Sequence, residues 1–462
     1  MMGDLTARIL GFFALVYLVR QLGAIDFGKL SFAEAFMAYF LYIGVAGVDT
    51  IATREIARNK ILSSRYFNDV LSLKLMLACV AYLLLIIFLS FINLASEIKI
   101  LTLLYGLCLF PLALSSEWFF QGKEKMWYLG LFRILREAGY LFGVIFLFFY
   151  SRNLYGVPII RVLAMLIVVV VSLMLIIYRM GIIVKPSFHF FAWKHLLKKS
   201  YPILISQLLI IVLYTFPIIL LGFLGKTEEV GYFSSVQKII FFFFTLSGVF
   251  WTVIFPALAR TYAESAHLLA EFERQVSKIA SVFIVPVGII GFFLSEQFII
   301  YAYGHSYIKS IAILRLLVWV AVMGMFNGIF VQGLIISNRE KTYTKIVLLQ
   351  VIFMITLCLF MVPRLGGVGA SLSWLIVELC SFYLCKHYYN KVVIFDFYRY
   401  LIKPVLASLI VVIMVSILNL SNIMISFPLC IIVYFGIMLI IKGVEISELK
   451  LIYNSLIIRR KE

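Results

Sequence analysis

Apolar runs of about twenty residues, each closed by a short polar or glycine-bearing turn, repeat along the whole chain. A helix needs about 20 mostly apolar residues to cross the ~30 Å hydrocarbon core of a bilayer. Read by that rule, the pattern predicts about fourteen spans. They are 5–22, 29–48, 68–91, 98–119, 127–149, 154–178, 202–224, 232–257, 276–296, 309–336, 343–363, 365–388, 399–419 and 424–442. The first is the shortest. The expected fold class is an all-α polytopic membrane protein, with no segment outside the bilayer large enough to hold a soluble active site.

Composition supports this reading. Of 462 residues, 64% are hydrophobic and 13% charged, against roughly 45–50% and about 25% in a soluble domain. Such a surface must face lipid or other helices. The net charge of +18 would point to nucleic acid in a soluble protein. Here the cations fall in the turns, and no RNP, zinc-finger or helix-turn-helix pattern accompanies them, so anionic lipid headgroups are the expected counter-charge.

The side of the turns sets the topology. Connections after even-numbered spans are basic, for example Arg54, Arg58, Lys60 and Arg65 after the second, and Arg179, Lys185, Lys194, Lys198 and Lys199 after the sixth. With the tail they hold roughly 26 basic residues against 7 in the opposite connections, so even connections and both termini are expected in the cytoplasm. No cleavable signal peptide precedes the first span, which is read as retained. The six cysteines lie in apolar stretches without CxxC, and the five histidines lack ligand spacing; neither set forms a metal site.

The halves echo one another. L-G-A-I-D-F-G-K-L-S (Leu22–Ser31) has a counterpart in L-G-K-T-E-E-V-G-Y-F-S (Leu224–Ser234), and Gln121-Gly122 in Gln332-Gly333. Matching places in six-plus-six spans predict a parallel repeat with a cavity between the halves. The expected organisation is an N-terminal six-helix lobe (1–180), an amphipathic cytoplasmic linker rich in lysine and aromatic residues (181–200), a C-terminal six-helix lobe (201–390), then two further helices and a basic tail (391–462).

Four stretches carry a family likeness: Tyr17–Phe36, A-T-R-E-I-A-R (Ala52–Arg58), E-W-F-F-Q-G-K-E-K-M (Glu117–Met126) and G-G-V-G-A-S-L-S-W-L-I-V-E (Gly366–Glu378). Together they resemble the Wzx-type O-antigen flippases, polysaccharide-biosynthesis exporters of the MOP superfamily, which also holds MATE exporters and the lipid II flippase. The resemblance implies a MATE-like fold of two six-helix lobes in a V, with two extra C-terminal helices, working by alternating access in the bacterial inner membrane. It implies a substrate of undecaprenyl-pyrophosphate-linked oligosaccharide, moved from the cytoplasmic to the periplasmic leaflet, and coupling to an ion gradient (H+ or Na+) rather than to a bound cofactor. No G-x-x-x-x-G-K-[ST] motif for ATP is present. Other polysaccharide-assembly membrane proteins are the expected protein partners.

Ionisable residues within the spans cost roughly 2.5–3.5 kcal/mol each at the bilayer centre, so each calls for a reason. A diphosphate crossing the membrane must be neutralised, and arginine forks or lysine point charges do this. The expected cavity cations are Arg8, Arg54, Lys74, Arg133, Arg136, Lys238 and Arg315. Thr6–Phe12, around Arg8, resembles the first helix of the lipid II flippase, where an arginine contacts the headgroup. Lys238 occupies the helix that the repeat matches to that of Glu34. Arg133 and Glu137 stand at i,i+4 and are placed to pair, while Arg161 is near enough to a span end to snorkel. Glu378, Glu34 and Glu117 are the candidate ion-coupling carboxylates. The bland reading gives these groups salt bridges and interface anchors instead. A MATE-like exporter of drug cations is the alternative function, and would want an acidic or apolar cavity. A membrane glycosyltransferase would want a large outward loop with paired carboxylates, which this chain lacks.

Overall fold

The computed structural model describes residues 2–58, 63–185, 187–393, 397–418 and 422–443. Among them there is no strand. The helices are α1 (Met2–Val45), α2 (Val48–Arg58), α3 (Ser63–Phe91), α4 (Ser96–Gly106), α5 (Leu109–Leu114), α6 (Glu117–Gly122), α7 (Met126–Tyr150) and α8 (Gly156–Met180). There follow α9 (Phe190–Phe223), α10 (Thr227–Glu264), α11 (Ala266–Phe293), α12 (Ser295–Tyr303), α13 (Ser310–Ile336), α14 (Glu340–Tyr389), α15 (Ile402–Ile417) and α16 (Ile423–Ile440).

Helix length decides how these elements count as spans. The 44 residues of α1 and the 50 of α14 would run about 66 and 75 Å if unbroken, more than twice the ~30 Å hydrocarbon core. Each is broken at one glycine, Gly23 (φ 70°) and Gly366 (φ 58°), in the left-handed region that only glycine enters freely. Beyond Gly366 the chain folds back so tightly that a methyl group on Gly369 would lie 2.5 Å from the Met361 carbonyl oxygen. Eleven helices among the described residues are long and apolar enough to cross a membrane. Dividing α1 and α14 adds two spans, and α7 adds the last; its mid-helix Arg133, Arg136 and Glu137 set it apart from the eleven. The fourth span, read from the sequence as one rod, is three short helices, α4 to α6, with Ser115 extended between the last two.

Two compact units divide the chain at Ser234/Ser235. The first is built on an aromatic core in which Phe67 stacks on Trp118 at 5.6 Å, with Phe119, Phe120 and Phe132 fully buried around them. The E-W-F-F-Q-G stretch is therefore a packing motif, and its Gly122 lets α2 close in, since a Cβ there would lie 2.9 Å from the Thr53 carbonyl oxygen. The stretch expected to link two lobes lies within this unit. After left-handed Gly181 the chain is laced to α3: Asn68 bonds Ile183 and Lys185, and Ser187 and His189 both meet Asp69. The amphipathic helix is the first three turns of α9, with Trp193 and Leu196 buried and Phe191 exposed, and it runs unbroken into the seventh span.

The two glycine turns of the sequence echo meet inside the same unit. A Cβ on Gly28 would strike the Thr227 carbonyl, and a Cβ on Gly231 the Ala24 carbonyl. Each glycine rests on the residue four positions before the other.

The second unit surrounds Phe326, Phe330, Tyr389 and Phe397. The two C-terminal helices dock on α11, where the Tyr434 hydroxyl donates to the Val282 carbonyl at 2.8 Å. The basic tail expected at the C-terminus lies outside the described residues.

Candidate functional site

Small residues draw α1 onto α7. A Cβ on Gly3 would lie 2.8 Å from the Gly130 Cα, and one on Gly11 3.3 Å from a Glu137 oxygen. The close crossing brings the first turns of α1 beside the charged turns of α7, while α6 and α8 flank them.

An alternating row of charges results. Asp4 holds Arg133 in a short ion pair, and Arg133 Nε stands 4.0 Å from Glu117 Oε2. Arg136 donates from Nη1 to Glu117 Oε1 at 3.0 Å and from Nε to Glu137 Oε1 at 3.3 Å. Arg161 on α8 donates to Glu137 Oε2 at 3.1 Å and lies 4.7 Å from the Tyr140 ring centre. Arg8 stands within the field of Asp4 and Arg133, and Glu34 within that of Arg161. Among the described residues, Arg133, Arg136 and Arg161 are thus paired with Asp4, Glu117 and Glu137. The ion-paired side chains keep between 15% and 38% of their surface, so the row is partly exposed.

The arginines expected as cavity cations are thus matched by carboxylates at this place. Arg133 and Arg136 are adjacent because Glu117 lies between them, and Asp4 and Glu137 complete the balance. A low-dielectric setting tolerates such a cluster when the charges cancel. The expected Arg133–Glu137 pair is not formed; Glu137 serves Arg136 and Arg161. Arg161, read as near enough to a span end to snorkel, is engaged by Glu137 and the Tyr140 ring.

Lys74 is a second correction. Its side chain is fully buried, with Nζ 2.7 Å from Asp49 and donating to the Ser115 carbonyl at 3.2 Å. That carbonyl is freed where the fourth span breaks, so Lys74 ties α3 to α2 and to the break, and offers no surface to a substrate. Arg54 is exposed on α2, beside the Glu55–Lys199 pair of 2.9 Å.

In the second unit Lys238 is half-buried on α10. Arg315 bonds the Ser295 hydroxyl at 3.0 Å, lies 3.8 Å from Glu296 and 5.6 Å from the Phe292 ring. It borders a cavity of about 650 Å³ lined also by Gln297, Tyr301 and Asn422. Glu378 is buried and accepts from the Asn327 amide at 3.2 Å, while the same nitrogen donates to Ser381 at 2.8 Å. The ionic row described above is built of first-unit residues.

Sequence reasoning passed over Asp4, and it singled out Glu137 and Arg161 without joining them to one row. It also passed over Glu273, which the structure buries completely. The signal available was the density of mid-span charge in 133–137, which demanded counter-charges without naming them.

Comparison with known proteins follows the same lines. The family profile described as polysaccharide biosynthesis protein matches residues 1–262. A relative in Escherichia coli (strain K12), described as "Putative O-antigen transporter", is 23% identical over 379 residues, covering 78% of this chain and 88% of its own. Among solved structures, the lipid II flippase MurJ in an inward closed conformation aligns with a TM-score of 0.77 at 16% identity, covering 95% of this chain and 98% of its own. An inward-facing multidrug resistance MATE family transporter of the MOP superfamily aligns at 0.66, also at 16% identity, over 83% and 95%. At these identities the two structures establish the fold, which is that of the MurJ and MATE transporters. The relatives so described are transporters, not enzymes.

Proposed function

Since the chain belongs to the polysaccharide biosynthesis protein family, we propose that it is a flippase for undecaprenyl-pyrophosphate-linked oligosaccharide. It would carry an O-antigen or related repeat unit from the cytoplasmic to the periplasmic leaflet of a bacterial inner membrane, by alternating access. The observation that carries this reading is the arginine–carboxylate row of the first unit, together with the description of the Escherichia coli relative.

The chemistry runs by exchange of partners. A diphosphate offers the same bidentate acceptors as a carboxylate, with more charge. Reaching the partly exposed row, it would take Arg133 and Arg136 from Asp4 and Glu117. The displaced carboxylates then need a cation or water, and so substrate uptake would be tied to an ion such as H+ or Na+. Glu34, Glu117 and the buried Glu378 remain the coupling candidates. Arg8 and Arg54, both exposed, are the further candidates to meet an approaching headgroup.

The test is export in cells lacking the protein, where lipid-linked glycan should collect facing the cytoplasm. Complementation with Arg133→Ala plus Arg136→Ala should fail although the protein is inserted. Normal outward display of glycan in the deletion strain would remove the substrate assignment, and full complementation by the double variant would remove the row from the site. Export of a drug cation is the second reading. Buried Glu273 and Glu378, neither with a basic partner among the described residues, favour it. A resistance phenotype with unchanged glycan would establish that alternative.

A further inference from the structure

The second unit contains a polar site apart from the ionic row. Glu273 on α11 is fully buried. Its Oε1 accepts the hydroxyl of Tyr389, at the end of α14, and its Oε2, equally buried, has no hydrogen-bond partner. One turn further along the same face, Ser277 is fully buried with an unpartnered hydroxyl. The next turn brings Ser281, whose hydroxyl donates to the Ser277 carbonyl at 2.7 Å.

The surroundings supply no counter-charge. Among the described residues Glu273 meets no lysine, arginine or histidine. Arg274, its neighbour in sequence, is exposed. The titratable groups on the packed side are Tyr389 and, beyond it, Tyr262 of α10. From α13 comes Gly333, the second member of the Gln-Gly echo, where any side chain would collide with the Tyr389 ring. That glycine lets the ring lie against α13 and reach Glu273.

An ionised carboxylate sealed in such a place with one phenol donor costs several kcal/mol unless a positive charge joins it. One monovalent cation balances it. A divalent ion would want further anionic oxygens, and no cluster of three acidic, histidine or cysteine side chains occurs among the described residues. We propose that Glu273, Ser277 and Tyr389 form an exchangeable site for a monovalent cation, H+ or Na+, inside the second unit. A proton would bind Glu273 Oε2 directly. A sodium ion would take Glu273 Oε2 and the Ser277 hydroxyl oxygen as ligands. In either case Tyr389 keeps its donor bond to Oε1, so it is a positioning residue. This site stands whether or not the transported substrate is a glycan.

The experiment uses the full-length protein in liposomes on a solid-supported membrane, with no glycan present, and records charge displaced on a rapid jump in pH or in Na+. The wild type should respond. A response to a pH jump without Na+ identifies the proton; a response to a Na+ jump at constant pH, weakened by Ser277→Ala, identifies sodium. Glu273→Gln, verified as folded by its elution and thermal unfolding, should lose the Glu273 component of the signal. Tyr389→Phe should shift the half-saturating concentration about tenfold, as expected for one hydrogen bond to a charged group. Gly333→Ala should reproduce that shift by moving the ring. Silence of the wild type on both jumps, or an undiminished signal in folded Glu273→Gln, overturns the site. Because no glycan is involved, that failure is distinct from failure of the flippase reading.

Discussion

Lys74 and Arg136 are both cations in apolar helices, yet the structure uses them differently. Lys74 is sealed against Asp49 and the Ser115 carbonyl, so its loss should be felt as instability. Lys74→Met is expected to lower stability toward the low end of the ~3–5 kcal/mol that breaking a buried pair costs, because Asp49 keeps about a third of its surface. Thermal unfolding in detergent measures this, and Asp49→Asn in the same chain should restore part of it. Arg136 keeps 26% of its side chain exposed and shares Glu117 with Arg133, so the row should respond to the competitor. Glu117→Gln removes the anion between two guanidinium groups and should raise affinity for inorganic pyrophosphate, read by calorimetry on the purified protein. Unchanged affinity would count against partner exchange. The charged residues themselves were legible in the sequence, since charge inside an apolar run is conspicuous. Their partners were not. Asp4 and Arg133 are 129 positions apart, and only the Gly3–Gly130 crossing brings them together.

Helices were the most legible level, because about twenty apolar residues between polar turns leave few other structures in lipid. What the apolar pattern concealed was interruption. The fourth span reads as a continuous run, yet Ser115 is extended within it, and the carbonyl freed there is met by Lys74. The glycine echo was visible as letters, while its physical content appears only in three dimensions: Gly28 and Gly231 each receive a carbonyl from the other's helix. A valine at either position should prevent that approach and reduce the amount of folded protein in membranes, measured by size-exclusion profile, whereas valine at Gly248, which has open space around it, should not. Gly366→Ala tests a different property. At φ 58° the alanine is strained in place, and a loss of about 1 kcal/mol is expected without loss of insertion.

For the molecule as a whole, the distribution of lysine and arginine makes a claim about sidedness that the helices alone do not. Reporter fusions check it: green fluorescent protein after residue 443 should fluoresce and alkaline phosphatase there should be inactive, with the reverse in the turn around Arg152. The opposite pattern would invert the topology and with it the proposed direction of transport. Sidedness also bears on how the chain is made. The Lys74–Asp49 contact joins segments that leave the ribosome twenty-five residues apart. A lone lysine entering hydrocarbon is opposed by roughly 2.5–3.5 kcal/mol, whereas one that finds a waiting carboxylate is not. Integration of α3 therefore depends on the nascent chain having retained α2 beside the translocon, and this charge pair is assembled before most of the helices have been translated.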